Sequence, residues 1–218
     1  MRLSRSFLIA AALLALLHVY IGSRLLPDLP IGVAGRTLGV LALALSCVLM
    51  PLGMMTRGMR DSPWADRLAW ASLTTMGLFS SLLVFTMLRD VALLVAIFAA
   101  PSHTLAAIER LSAIAVVALA FLATCIGLIN ARRRARVVEV EIPVADLPAD
   151  LHGFSIAQIS DVHVGPTIKR NYVDAIVEAV NRLDVDVIAV TGDMVDGSVR
   201  QLAADVEPLG RLRARHGT

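Results

Sequence analysis

The hydrophobic and polar positions of this chain change their pattern near residue 130. Before that point long apolar stretches follow one another with few charged residues, and after it short apolar runs alternate with charged segments. A helix needs ~20 mostly apolar residues to cross a bilayer, whereas short runs with changing periodicity are typical of a folded α/β region. The pattern therefore predicts a membrane domain at residues 1–130, a joint at residues 131–153 and an α/β portion at residues 154–218.

Four apolar stretches of the first region are long enough to cross a membrane, and we place them at about residues 5–22, 31–55, 68–88 and 111–129. The first follows Arg2 and Arg5 in the manner of a signal peptide, but it lacks a convincing small-residue cleavage site, so we interpret it as an uncleaved helix. Residues 91–100 are apolar but short, and Pro101 follows them. They suit a helix extension, an interfacial segment or a re-entrant segment better than a fifth crossing.

Arginines at the ends of the four stretches predict the orientation. One set of ends carries nine arginines and the other carries four. The first set is Arg2, Arg5, Arg57, Arg60, Arg67, Arg132, Arg133, Arg134 and Arg136, and the second is Arg24, Arg36, Arg89 and Arg110. Because basic residues concentrate on the cytoplasmic side of membranes, the bias predicts four crossings with both termini in the cytoplasm.

Arg89 and Asp90 are adjacent charges after the third stretch. Ionisable residues inside a bilayer are costly and often mark a functional site, so the two residues are candidates for an intramembrane pair. The alternative is an end-of-helix pair at the membrane interface far from the cytoplasm, and this is the interpretation that we favour.

The composition agrees with a membrane protein that carries a smaller polar region. Hydrophobic residues make up 57% of the chain and charged residues 17%, with a formal net charge of +2. The basic residues lie at the ends of apolar stretches rather than on a face with interleaved aromatic side chains. We therefore expect no nucleic-acid partner.

Beyond residue 135 apolar residues recur at the spacings that are typical of strands and helices. The alternating run at residues 136–144 (R-V-V-E-V-E-I-P-V) predicts an edge strand. Residues 154–159 and 186–191 predict two parallel strands, the second with the β-branched composition of a strand covered on both faces. Apolar positions at helical spacing over residues 173–183 predict a helix between them, with Asn171 as its N-cap, so that the three elements form a right-handed βαβ unit. A further helix is expected over residues 201–215.

Chemistry-bearing residues follow each of the two predicted parallel strands. Asp161 and His163 come after the first strand, and Gly192, Asp193 and Asp196 come after the second. Because parallel strands bring their carboxyl ends to one edge of a sheet, Asp161, His163 and Asp193 are expected to share one crevice. Carboxylate oxygens with one imidazole nitrogen suit Mn²⁺, Fe or Zn²⁺. Gly192 permits a sharp turn there, and the simplest interpretation of Asp196 is a cap on the segment that follows.

The runs I-A-Q-I-S-D-V-H-V-G-P-T and V-D-V-I-A-V-T-G-D-M-V-D-G resemble the opening of the calcineurin-like metallophosphoesterases, over residues 136–197. With apolar stretches and an R-R-R-A-R joint ahead of it, the layout resembles their membrane-attached bacterial phosphodiesterase branch. The resemblance implies a layered β-sandwich flanked by helices, of which this chain holds the first part. It also implies two divalent metal ions: Asp161 and His163 would hold the first, Asp193 would bridge both, and Asp196 would support them.

The chain departs from the family pattern at its C-terminal end. The family continues with a Gly-Asn-His-Asp/Glu motif, a further histidine and a Gly-His-x-His motif, whereas this sequence ends Arg-His-Gly-Thr, and His216 matches none of those histidines. The residues that would assist the leaving group are therefore not identified in this chain. We expect a C-terminally truncated phosphoesterase domain, and an inactive 218-residue polypeptide derived from an active enzyme.

These features predict a membrane-anchored, metal-dependent phosphohydrolase that cleaves phosphodiesters or phosphomonoesters. The expected location is the bacterial inner membrane with the phosphoesterase portion facing the cytoplasm, and the expected partners are membrane lipids and phosphate-ester substrates such as lipid-linked phosphates. The alternative is a non-catalytic multi-pass membrane protein with a vestigial phosphoesterase segment. In that case Arg89 and Asp90 would matter more than Asp161.

Overall fold

The computed structural model describes residues 5–55, 63–133 and 135–218 and divides into two compact units, with the division after Arg132. The first unit contains four long helices: α1 (Arg5–Leu25), α2 (Gly32–Met55), α3 (Pro63–Ala99) and α4 (Ser102–Ala131). The second contains two strands, β1 (Ile156–Ile159) and β2 (Val187–Val190), and two helices, α5 (Arg170–Asn181) and α6 (Val199–Val206).

All four helices of the first unit are long and apolar enough to cross a membrane. Helix α3 runs without interruption for 37 residues, so of the three possibilities for residues 91–100 the helix extension is confirmed. Helix α4 begins at Ser102, earlier than residue 111 where we expected its crossing to start. Pro101 separates the two helices, because its ring removes a backbone donor and prevents α3 from continuing.

Arg89 lies within α3 and is only 4% exposed. Its guanidinium donates to the Asp28 carboxylate at 2.5 Å, to the Arg24 carbonyl at 2.7 Å, to the Ser112 hydroxyl at 2.9 Å and to the Glu109 carbonyl at 3.0 Å. These partners come from α1, from the α1–α2 connection and from α4. Arg89 therefore holds three parts of the helical unit together.

Asp90 has its own partners on α1. Its carboxylate accepts a hydrogen bond from the Tyr20 hydroxyl at 2.7 Å and pairs with the Arg24 guanidinium, with Nε–Oδ2 at 2.9 Å. The expectation that Arg89 and Asp90 lie at the end of their helix is wrong, while their expected position at the membrane interface stays a prediction. The helix continues to Ala99, and each residue finds its counter-charge on a different segment because adjacent helical positions point in different directions.

Arginines in the helical unit fall at two ends. Arg24 and Arg89 meet at one end, and at the other the Arg132 guanidinium lies 4.2 Å from the centre of the Trp70 ring. This arrangement agrees with the two sets of arginines that we placed at opposite ends of the four apolar stretches. The cytoplasmic orientation stays a prediction. Four of the arginines that we counted, Arg2, Arg57, Arg60 and Arg134, lie outside the described residues.

His18 connects the first three helices in their apolar interior. Its ring is 4% exposed and stacks on Phe79 of α3, with ring centres 4.3 Å apart. Its Nε2 atom lies 2.9 Å from the Ser46 hydroxyl of α2, and its Nδ1 atom lies 2.8 Å from the Leu14 carbonyl. Both ring nitrogens are therefore engaged in helix packing.

The second unit is built around a parallel β1–β2 pair whose register joins Ile156 to Val187 and Ile159 to Val190. Helix α5 connects the strands and packs its valines on one face of the pair. The core residues are Ala157, Ile159, Val162, Val164, Val173, Val177, Val180, Val185 and Ile188. Strand, helix and parallel strand follow one another as predicted, with β1 beginning two residues after the expected residue 154.

The opposite face of the β1–β2 pair is open within the described residues. Ile188 is 1% exposed, whereas Ile156 is 62% exposed. Of the four residues of β2 only Ile188 is buried, so the expectation of a strand covered on both faces is wrong for the described part of the chain.

Residues 136–144 form no strand, contrary to our prediction of an edge strand. The segment exposes its apolar side chains, and no neighbouring strand in the described ranges offers it backbone partners. An alternating pattern encodes the shape of a strand, but a strand exists only when it is paired.

The helix ends differ from the predicted ones. The N-cap of α5 is Lys169 rather than Asn171, which lies in the first turn. Helix α6 begins after Ser198, whose backbone N–H donates to the Gln201 side chain at 3.2 Å. It gives way to a 3₁₀ turn at Glu207–Arg211, because Pro208 cannot supply the N–H that a longer helix needs. The last residues lie beside the start of β2, with the His216 N–H donating to the Asp186 carbonyl at 2.8 Å.

Candidate metal centre

The loops that follow β1 and β2 remain side by side beyond the ends of the strands. Asp161 N–H donates to the Gly192 carbonyl at 3.2 Å, and His163 N–H donates to the Asp193 carbonyl at 3.2 Å. Val164 and Val195 then form an isolated parallel bridge. The two loops are thus positioned by the same kind of backbone pairing as the strands, so their side chains are held in register.

Side chains alternate between core and solvent along the first loop. Val162 and Val164 are buried, whereas Asp161 and His163 are exposed on the other side of the backbone. The apolar valines anchor the loop in the core by removing apolar surface from water. The two polar residues consequently face the same direction.

Asp161, His163 and Asp193 come together as predicted. One ligand atom from each lies within 4.8 Å of the other two, and His163 Nε2 is 3.3 Å from Asp193 Oδ2. Ligand atoms bound to one ion at about 2.0–2.2 Å lie roughly 3–3.5 Å from one another, so the distance between His163 and Asp193 matches that of two ligands on one ion, whereas the 4.8 Å limit for the whole group is wider. Two carboxylates and an imidazole form a donor set that fits Mn²⁺, Fe or Zn²⁺.

All three of these residues have left-handed backbone conformations. The φ angles are +56° for Asp161, +51° for His163 and +50° for Asp193. Such angles are uncommon for residues other than glycine, although Asp and His tolerate them better than most, and they often cluster at functional sites. No local sequence pattern predicts this feature. Gly192, which we expected to permit a sharp turn, has a φ of +117°.

His163 faces a second carboxylate with its other ring nitrogen. Nδ1 lies 3.3 Å from Asp196 Oδ1. The hydrogen bond with Asp196 is the largest cause that raises the pKa of His163 above its ordinary value, and the negative charges of Asp193, Asp196 and Asp161 add to it. The imidazole therefore lies in a strongly negative environment that also attracts cations.

Two residues that we did not single out from the sequence as site residues contribute to the geometry. The Ser160 hydroxyl donates to Asp161 Oδ2 at 2.5 Å and orients that carboxylate. Gly165 is buried, and a Cβ atom placed on it would lie 3.3 Å from the Cβ of Asp196. Residues 165 and 196 are far apart in the sequence, so no local pattern reveals this contact.

No protein-family model and no solved structure matches this chain. It is 41% identical over 109 residues to a transmembrane protein with metallophosphoesterase domain from Danio rerio, covering 50% of this chain and 25% of the relative. It is 32% identical over 162 residues to a protein named as a metallophosphoesterase from Caenorhabditis elegans, covering 71% of this chain and 34% of the relative. A metallophosphoesterase of Helicobacter pylori is 34% identical over 92 residues, covering 42% of this chain and 24% of the relative.

The chain spans about a quarter to a third of the length of these relatives. Their names support the metallophosphoesterase superfamily and, with the four apolar helices, a membrane-associated phosphoesterase-like protein. Because the relatives come from animals as well as bacteria, the bacterial branch stays a prediction.

Proposed function

We propose that this chain is part of a membrane-anchored, metal-dependent phosphohydrolase that cleaves phosphodiesters or phosphomonoesters. The observation that carries the proposal is the convergence of Asp161, His163 and Asp193 at the ends of two adjacent parallel strands. Relatives named as metallophosphoesterases support the reaction class.

Each residue has a role in the proposed centre. Asp161 and His163 would hold one ion, and Asp193, whose carboxylate lies beside His163 Nε2, would be a ligand shared with a second. Two divalent ions of the Mn, Fe or Zn type would supply a water of lowered pKa and neutralise charge on the phosphoryl oxygens. Ser160 orients the Asp161 carboxylate, and the left-handed backbone keeps the three ligands directed at one point.

The three ligands are roughly half of what two ions require, since each ion takes about four or more donors. We therefore infer that further side chains, outside this group of three, complete the centre, and we expect the 218-residue chain alone to show no measurable turnover.

The membrane unit supports a substrate at or near a membrane surface. Helices α1 to α4 expose apolar side chains along their lengths, as lipid-facing helices do, so membrane lipids are the proposed surroundings. Phosphate esters carried on lipids are the substrates that such an anchor favours. In the proposed location, the bacterial inner membrane rests on the resemblance to the bacterial branch, and the cytoplasmic side of the centre rests on the arginine asymmetry.

The alternative function, a non-catalytic membrane protein, gave the central role to Arg89 and Asp90. Both side chains are occupied by contacts between helices within the described residues, and the polar groups of Arg89 are buried. This arrangement favours a role in helix packing. The metallophosphoesterase proposal is therefore the one that the geometry supports best.

A chimeric protein tests the proposed reaction. The region of the Danio rerio relative that follows the matched segment would be joined after Thr218, and hydrolysis of bis-p-nitrophenyl phosphate would be measured with and without Mn²⁺. We expect Mn²⁺-stimulated hydrolysis that Asp193→Asn abolishes. The matched control is Asp184→Asn, because Asp184 is also an exposed aspartate with a left-handed backbone but lies at the other end of β2. Hydrolysis that survives both Asp193→Asn and chelation would contradict the proposal.

A further inference from the structure

Two tryptophans and two arginines meet at one end of the helical unit. Trp64, Arg67 and Trp70 follow one another at three-residue spacing on α3, so they form a row along the helix surface. The Arg67 guanidinium lies over the Trp64 ring, 4.9 Å from its centre. The Arg132 guanidinium, from the C-cap of α4, lies over the Trp70 ring, 4.2 Å from its centre. We call these four residues the Trp–Arg row.

The two arginines of the row have no carboxylate partner in the described part of the chain. Arg67 and Arg132 are exposed, and the ion pairs among the described residues include neither of them. Asp66 lies in the first turn of α3 but forms no ion pair with either arginine. At the other end of the helical unit Arg24 and Arg89 each pair with an aspartate. The positive charges of the row are therefore available to an anion from outside.

An aromatic ring prepares a guanidinium for binding a phosphate. The ring contacts the face of the guanidinium, whereas the N–H donors lie in its plane and remain accessible at the edge. Two of these donors match the spacing of two phosphate oxygens. The stacking also restricts the long arginine side chain before binding, so less conformational entropy is lost when the phosphate arrives.

The Trp–Arg row lies at the depth where a membrane presents its lipid headgroups. The apolar part of α3 that is long enough to cross a membrane begins at Trp64, and Arg132 follows the last residue of α4. Tryptophans concentrate at the boundary between hydrocarbon and water, and basic residues near that boundary attract anionic lipids. The anion that the row meets at this position is therefore the phosphate of a lipid headgroup.

We propose that the Trp–Arg row is a binding site for the headgroups of anionic phospholipids. Arg67 and Arg132 donate to the phosphate, and Trp64 and Trp70 hold the two guanidiniums in place. The inference concerns the helical unit alone and does not rest on the proposed phosphohydrolase activity. It requires the planar guanidinium, which distinguishes the site from a diffuse attraction between basic residues and a negative surface.

Tryptophan fluorescence tests the proposal, because Trp64 and Trp70 are the two tryptophans of the chain. The full chain would be placed in phosphatidylcholine nanodiscs that contain phosphatidylglycerol with a nitroxide quencher near the headgroup end of its acyl chain. Phosphatidylcholine with the same nitroxide is the reference lipid. We expect the anionic lipid to quench at a lower mole fraction than the reference lipid. Arg67→Gln and Arg132→Gln should each reduce this preference by about fivefold, the usual contribution of one basic residue near an anionic membrane surface.

Two further variants separate a built site from a general effect of charge. Arg110→Gln is the matched control, because Arg110 is also an exposed arginine of α4 but lies near the opposite end of that helix, and the preference should not change. Arg132→Lys keeps the charge and removes the planar donors, so we expect it to lose most of what Arg132→Gln loses.

Three results would overturn the inference. The first is equal quenching by the two labelled lipids in the original chain. The second is a preference that Arg132→Lys retains in full, which would indicate a diffuse attraction between charges. The third is displacement of the labelled phosphatidylglycerol by inorganic phosphate and not by unlabelled phosphatidylglycerol, which would show that the row binds free phosphate instead of a lipid.

Discussion

The helical unit and the α/β unit treat their charged side chains in opposite ways. In the helical unit Arg89 is buried and donates to four oxygen atoms, so its charge and its hydrogen bonds are satisfied by the protein. In the α/β unit Asp161, His163 and Asp193 are exposed, gather negative charge at one point and have left-handed backbones. Partners offset the cost of burying a charge, whereas a group of like charges on strained backbone is stabilised by a cation.

The comparison shows which charged residues serve structure and which serve chemistry. A buried charge without partners is very costly, and Arg89 has four acceptors, one of them the charged Asp28 carboxylate. The carboxylates of the candidate metal centre keep open coordination positions because they face solvent. We therefore expect substitution of Arg89 to destabilise the helical unit strongly, and substitution of a metal-centre carboxylate to change the stability of the α/β unit little.

The largest effect is expected at Arg89. Arg89→Ala leaves the Asp28 carboxylate and the carbonyls of α1 and α4 without the donor that they share. We therefore expect the helical unit to lose about 3–5 kcal/mol of stability. Thermal unfolding of the detergent-solubilised chain measures this. Arg110→Ala, at an exposed position of α4, is the control, with an expected change within about 0.5 kcal/mol. Equal effects of the two substitutions would contradict the assigned role of Arg89.

The next effect concerns the two faces of the β1–β2 pair. Ile188→Ala removes a buried side chain from the core and should cost about 2–5 kcal/mol, whereas Ile156→Ala changes an exposed side chain of the same type and should cost less than about 1 kcal/mol. Urea unfolding followed by a signal from the α/β unit compares them. Similar costs would show that the face of Ile156 is covered.

A smaller effect is expected from pH at Asp186. Hydrogen bonds from Ser155, first from its backbone N–H at 2.9 Å, lower the pKa of Asp186 below its ordinary value, with a further contribution from Arg215. A carboxyl whose folded pKa is lowered contributes stability above its unfolded pKa of about 3.9, and that stability is lost as the pH falls through the folded pKa. The urea midpoint should therefore fall at acidic pH, and less steeply in Asp186→Asn. Identical pH profiles would exclude this contribution.

The smallest stability change is expected at the metal centre. Asp193→Asn removes one of several like charges from an exposed group and leaves a residue that tolerates a left-handed backbone. Without added metal, and at a pH where His163 is neutral, we expect a change within about 0.5 kcal/mol, in the stabilising direction. Urea unfolding in the presence of a chelator measures it. A loss comparable to that of Ile188→Ala would show that Asp193 is part of the structural core rather than a ligand.

Much of the fold was predictable from the sequence because apolar periodicity reports local burial. The four long helices, the strand–helix–strand order and the three converging ligands follow from that periodicity and from the geometry of parallel strands. The partners of Arg89 were not predictable, since they come from segments distant in sequence. Residues 136–144 show the same limit, because an alternating pattern does not specify whether a neighbouring strand is present.

The backbone of the candidate centre was also beyond prediction. Asp161, His163 and Asp193 adopt left-handed angles because their loops are held together by cross-loop hydrogen bonds, which no single segment encodes. The contact of Gly165 with Asp196 likewise depends on the bridge between the two loops.

The most direct test of the metal centre is Mn²⁺ binding to the 218-residue chain in detergent, measured by the loss of the electron paramagnetic resonance signal of free Mn²⁺. We expect weak but saturable binding that Asp193→Asn reduces by at least about tenfold, because three ligands hold the ion and one is removed. Asp184→Asn should leave the binding unchanged. Equal Mn²⁺ affinities of the original chain and Asp193→Asn would contradict the assignment of Asp161, His163 and Asp193 as a metal site.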